Sequence, residues 1–156
     1  MGFLDKIKQA ANFVTGGGAK VTVETAEGTL DGSQPIAVTI HATVKDASIN
    51  ARRVYLKVRA RETVYVSSED FPKDGEGGSR SFEEHHVHYD HEIDVSGEQE
   101  LEANESYNWE ASFTLPDHVF GTFQGRWGKH EIQIQGALDT KGNDPDSGWV
   151  TIHVRK

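Results

Sequence analysis

The chain has 156 residues, no cysteine, and 25 acidic against 16 basic side chains, a formal charge of −9. The missing cysteine excludes thiol catalysis, disulfides and thiolate metal sites. The negative balance argues against a nucleic-acid partner, which needs a positive surface to displace counterions.

The length suits one domain, which at this size buries roughly 70% of its unfolded surface and needs no staple. No apolar run reaches the length of a membrane span, and the start lacks the apolar core of an export signal. The expected location is the cytoplasm, with a membrane-peripheral placement as the alternative.

Residues 3–14 carry the pattern of one amphipathic helix. Phe3, Leu4, Ile7, Ala10, Ala11 and Val14 fall on one arc, with Asp5, Lys8, Gln9 and Asn12 opposite. Gly16, Gly17 and Gly18 end it and supply a flexible joint. So short a helix is marginal alone, so its stripe requires a partner. The candidates are its own domain, a second copy, another protein or a membrane surface, met through Phe3, Leu4, Ile7, Ala11 and Val14. Lys6 stands where a myristoylation signal requires Ser or Thr.

From Ala19 onward the apolar period is two. Val21 and Val23 begin it, and Ile36, Val38, Ile40, Ala42 and Val44 form a long half-buried strand. Val54, Leu56, Val58 and Ala60 form the next, with Arg53, Tyr55, Lys57, Arg59 and Arg61 on its other face. That run continues through Val64 and Val66, with a bulge expected near Thr63. Residues 67–81 are polar and Gly-rich, which predicts a mobile connection. A strand returns over residues 82–95, placing Val87, Tyr89, His91, Ile93 and Val95 on one face.

Residues 107–115 carry the heaviest apolar face, Tyr107, Trp109, Ala111, Phe113 and Leu115. The other strands are expected to pack on it, with Trp109 in the core. After Pro116, residues 119–128 hold Phe120, Phe123 and Trp127, expected to tuck against the end of the domain. Ile132, Ile134 and Leu138 resume the strand pattern, a polar turn covers residues 141–148, and Val150, Ile152 and Val154 close the chain.

About seven or eight strands without intervening helices predict an all-β, two-sheet antiparallel immunoglobulin-like sandwich behind a short amphipathic helix. A closed barrel is the alternative. Residues 1–18 are the helix and linker, and residues 19–156 the sandwich. The chain resembles the arrestin-like fold family, and within it the bacterial sporulation-control proteins. The likeness rests on the leading helix before Ala19-Lys20-Val21, and on Leu30-Asp31-Gly32 ahead of the strand that begins at Ile36. It rests further on the aromatic strand ending in Leu115-Pro116, and on Gly128-Lys129-His130-Glu131-Ile132 running to Ala137-Leu138-Asp139. The resemblance implies intracellular adaptor or scaffold work without catalysis. The family pairs two such sandwiches, and this chain has length for one.

The cluster His85-His86-Val87-His88-Tyr89-Asp90-His91 is the sharpest chemical feature. On a regular strand His86, His88 and Asp90 share a face, where two imidazoles converge on one ion or else form a solvated, titrating surface. His86 and His88 are therefore candidate metal ligands, though no cofactor or metal is implied by a full ligand set. Asp144-Pro145-Asp146-Ser147-Gly148 has the opening of a calcium loop, but Arg155 stands where that loop requires its closing Glu.

No nucleophile elbow or phosphate-cradling loop is present, and no acid, base and nucleophile set is assembled, so no enzyme is expected. The row Arg53, Lys57, Arg59 and Arg61 predicts either a sheet face neutralised by a neighbouring strand or a contact for an acidic partner or anionic lipid through Arg59 and Arg61. The expected function is a non-catalytic adaptor acting by protein–protein contact or self-association. The alternatives are a peripheral membrane module using the helix and a metal- or small-ligand-sensing domain on the histidine strand.

Overall fold

A computed structural model describes residues 17–70 and 81–156. The helix expected over residues 3–14, with Phe3, Leu4, Ile7, Ala11 and Val14, lies outside the described residues, as does most of the expected loop over residues 67–81. The described chain is all-β apart from one 3-10 turn, Ser68–Asp70.

Three strands make one layer. β1 (Ala19–Glu24) and β7 (Ser106–Phe113) flank β3 (Ile36–Val44), all antiparallel. The second layer is larger. Its long members are β4 (Ile49–Val66), β5 (Phe82–Ser96) and β9 (Gly128–Thr140), with β4 in the middle. The short strands β6 (Gln99–Leu101), β8 (Phe123–Gln124) and β10 (Val150–Ile152) extend it. A parallel pair, β2 (Leu30–Asp31) with β11 (Val154–Arg155), closes one end. Among the described residues no ladder joins the two large sheets, so the layers stack and do not close as a barrel.

The alternation read from sequence sets the facing surfaces. Val21, Val23, Val38 and Ile40 from one layer meet Val54, Leu56, Val58, Ile132, Ile134 and Leu138 from the other, all buried. Full burial of one such side chain contributes about 2 kcal/mol, so this interface dominates stability. The layers approach closely at Gly136, where an added Cβ would lie 2.6 Å from Val23 Cγ1.

Two expectations are corrected. The strand with the heaviest apolar pattern, β7, is an edge and not a centre: among the described residues it pairs only with β3, and Tyr107 and Trp109 are half-buried. The structural centre is β4, which pairs with β5, β6 and β9. Tyr107 ties the edge down, its hydroxyl accepting the Glu102 N–H at 2.9 Å. The second correction concerns the bulge. The register does shift near Thr63, at the Ala60/Arg61 step, but the extra residue lies on β5, His88, and a second shift falls at Val54/Tyr55.

Candidate functional site

The outward face of β4 carries the predicted basic row, and its neighbours neutralise most of it. Arg53 meets Glu92 at 2.6 Å and Asp94 at 2.5 Å, and its Nε donates to Asp139 at 3.3 Å. Those hydrogen bonds raise its pKa further above the ordinary value. Arg61 donates to Glu131 at 2.8 Å. Burial alone would raise the Glu131 carboxyl, but the bonds from Arg61 and Lys129 hold it below the usual range. Arg59 lies over Trp149, its Cζ 3.8 Å from the ring centroid, and donates to Gln133 at 2.8 Å. Burial and the adjacent Arg61 lower its pKa.

Residues 141–148 fold back over this face instead of forming a simple hairpin turn. Asp144 accepts from the Thr140 N–H at 2.9 Å and the Tyr55 hydroxyl at 3.1 Å. Asp146 accepts from Gln135 at 2.9 Å and the Gly148 N–H at 2.7 Å. These carboxylates shape the turn. Burial and Asp144 push the Tyr55 phenol up to about 12.

The inward face of the larger sheet runs past the end of the smaller one. On this overhang Glu62 is the Cα partner of both His86 and His130, so the three side chains form a cross-strand row. His130 is buried, 1% exposed. Its Nδ1 lies 2.9 Å from the Gly121 carbonyl, which can only accept, so Nδ1 carries the proton and Nε2 presents a lone pair. The His88 Nε2 sits 2.8 Å from that lone pair and donates to it. The two rings meet edge to edge through these nitrogens, with centroids 5.1 Å apart and planes 29° apart, and Phe123 stacks on His130 at 6.1 Å. Burial and the neighbouring His130 push the His88 imidazole below its ordinary value.

The bulge overturns the grouping of His86, His88 and Asp90 on one face. Asp90 pairs with Arg59 on the outward side, whereas His86 and His88 belong to the inward overhang. The same extra residue moves Val87 out of line with Tyr89, His91 and Ile93, opposite Arg61 and exposed. His130 and Glu62 were not singled out by sequence. Alternation with Ile132 and Ile134 places His130 inward, but only the register shows which histidine it meets.

The segment of residues 119–128 departs most from expectation. Only Val119 is fully buried in it; Phe120 is 67% exposed, Phe123 59% and Trp127 54%. The backbone is nevertheless well tied. Thr122 N–H donates to the Val154 carbonyl at 2.8 Å, Tyr65 N–H to the Trp127 carbonyl at 2.9 Å, and Arg126 to Asp70 at 2.7 Å. The Ser67 N–H, Trp127 and Arg126 hold the Asp70 carboxyl down to about 2. A groove of 590 Å³ runs beside Phe120, Thr122 and Phe123 and is bordered by His153, Arg155 and Lys156.

No family model matches the sequence, and no curated protein matches it. Among solved structures, the crystal structure of Spo0M, a sporulation control protein from Bacillus subtilis, matches over 90% of this chain and 50% of that one. The TM-score is 0.62 and the identity 17%. The chain has the fold of Spo0M. The resemblance to sporulation-control proteins read from the strand pattern thus holds as a likeness of fold. The chain spans about half the length of the Spo0M structure it matches, 50%. Among the described residues no helix is long and apolar enough to cross a membrane.

Proposed function

We propose that this chain is a non-catalytic binding module: an arrestin-like two-sheet sandwich that docks a protein partner in the cytoplasm as an adaptor or scaffold. The observation that carries the reading is the placement of exposed apolar side chains. Among the described residues the large ones, Val64, Phe82, Val87, Phe120, Phe123 and Trp127, all fall at one end. Exposed aromatic side chains grouped at one end of a domain mark an interaction surface, and aromatic anchors supply most of the energy at such contacts. The well-bonded backbone beneath Phe120, Phe123 and Trp127 supports a preformed contact, which lowers the ordering cost of binding.

The neutralised row on β4 favours this end over Arg59 and Arg61 as the docking surface. Co-purification from native extract tests the reading. A triple variant, Phe120→Ser with Phe123→Ser and Trp127→Ser, is expected to keep the circular dichroism of the parent and to lose its partner. Retention of the same partner by the folded triple variant would refute the proposal. Liposome flotation of the full chain and of a version lacking residues 1–18 tests the membrane alternative, and light scattering on the same pair tests self-association.

A further inference from the structure

We propose that His88 and His130 are the two fixed ligands of a site for a divalent transition-metal ion, zinc in the first instance, completed by Glu62 or His86. The two Nε2 atoms face each other at 2.8 Å from different strands. Two imidazoles on one tetrahedral zinc, each about 2.0–2.1 Å from the ion, have nitrogens roughly 3.3 Å apart. To admit an ion the rings need to part by about half an ångström and to turn so that both lone pairs meet at one point.

His130 is already prepared as a ligand. The Gly121 carbonyl holds its proton on Nδ1, fixing the tautomer and leaving the Nε2 lone pair free, as outer partners of metal-bound histidines do. Phe123 and burial hold the ring's orientation. His88 is half-exposed, so its proton can move from Nε2 to Nδ1, where it meets solvent, and Nε2 then also presents a lone pair. No charge is lost in that exchange, and the ion replaces one hydrogen bond with two metal–nitrogen bonds.

Among the described residues no three ligating groups converge as they stand, so the ion must draw in a third. Glu62 is placed to supply it. Its Cα is paired with both His86 and His130, its charge acts on His88, and among the described residues its carboxylate makes no hydrogen bond or ion pair. Two imidazole nitrogens and a carboxylate suit zinc better than magnesium or calcium, which prefer oxygen alone.

The test is calorimetric titration of the untagged, metal-free full chain with zinc chloride, alongside visible absorption with cobalt(II) as the spectroscopic substitute. We expect one ion per chain, cobalt bands of a low-coordinate site, and a rise in melting temperature with zinc. His88→Gln should weaken binding by about tenfold or more and abolish the thermal rise, and Glu62→Gln should weaken it less. His85→Gln, on the opposite face beside Thr63, should leave binding unchanged. Absence of heat and of cobalt bands would overturn the proposal. So would binding of parental strength in His88→Gln, since the ion would then reside on other histidines.

Discussion

Gly136→Ala is the most informative single perturbation of the two-layer packing on which the exposed end depends. The new Cβ would stand 2.6 Å from Val23 Cγ1 and 3.0 Å from both Ile40 Cγ1 and Cγ2. Carbon atoms pack best at about 3.5–4.0 Å, so three contacts are too short at once. All three belong to buried β-branched side chains, which have little rotamer freedom to retreat. Overpacking of this kind costs about 1–3 kcal/mol. Replacing a strand glycine by alanine returns roughly 0.5–1 kcal/mol through the unfolded chain, leaving a net loss of about 1–2 kcal/mol. For a domain of this length that lowers the melting temperature by about 3–6 °C. Denaturant unfolding should show a lower midpoint with an unchanged slope.

Val23→Ala removes the nearest obstacle, so its cost should be smaller in the Gly136→Ala background than in the parent, by about 1 kcal/mol. An unchanged or raised midpoint in Gly136→Ala, together with additive double-variant energies, would refute the close approach of the layers at this point.

Three further outcomes follow from the β4 face. The Tyr55 phenol, pushed up to about 12, binds its proton more tightly in the folded chain than in the unfolded one. Its contribution is complete below pH about 10 and lost as pH rises through the folded value, so Tyr55→Phe should flatten the alkaline stability profile. Glu131, held below its usual range, acts in the opposite direction. Its contribution is present above pH about 4.3 and lost as pH falls, so Glu131→Gln should flatten the acid limb followed by circular dichroism. Arg59 and Trp149 should show a coupling of about 0.5–2 kcal/mol in a double-mutant cycle, because the guanidinium lies over the ring in a half-buried position.

Most of the fold was legible because face alternation is a local property. Each of β3, β4 and β9 carries enough Val, Ile and Leu in phase to declare its inward side; burial follows that phase in β3, while Tyr55, Thr63, Gln133 and Ala137 are buried on the other face of β4 and β9 as well. What alternation does not encode is who neighbours whom. The apolar weight of β7 points to a centre, yet among the described residues it is flanked on one side only, by β3. β2, two residues long, has no period to read, and Val154 of β11 reads as one closing strand with Val150 and Ile152 although it pairs elsewhere, with Leu30.

The candidate site was harder still, for a reason specific to β5. Around His88 the sequence is polar and aromatic on both sides, so an inserted residue leaves no break in an apolar pattern to betray it. One extra residue there reverses the phase of everything between it and Phe82. The bulge removes Asp90 from the histidines and brings His88 to His130, forty-two positions away in the chain. A regular β5 would therefore have left His130 buried beside Glu62 with no nitrogen facing it. Bulges are retained where they re-aim a side chain, and the side chain re-aimed here completes the His88–His130 pair. Deleting Val87 would restore regular pairing; it should separate the two rings, and with them any zinc affinity, while β4 and β9 stay paired.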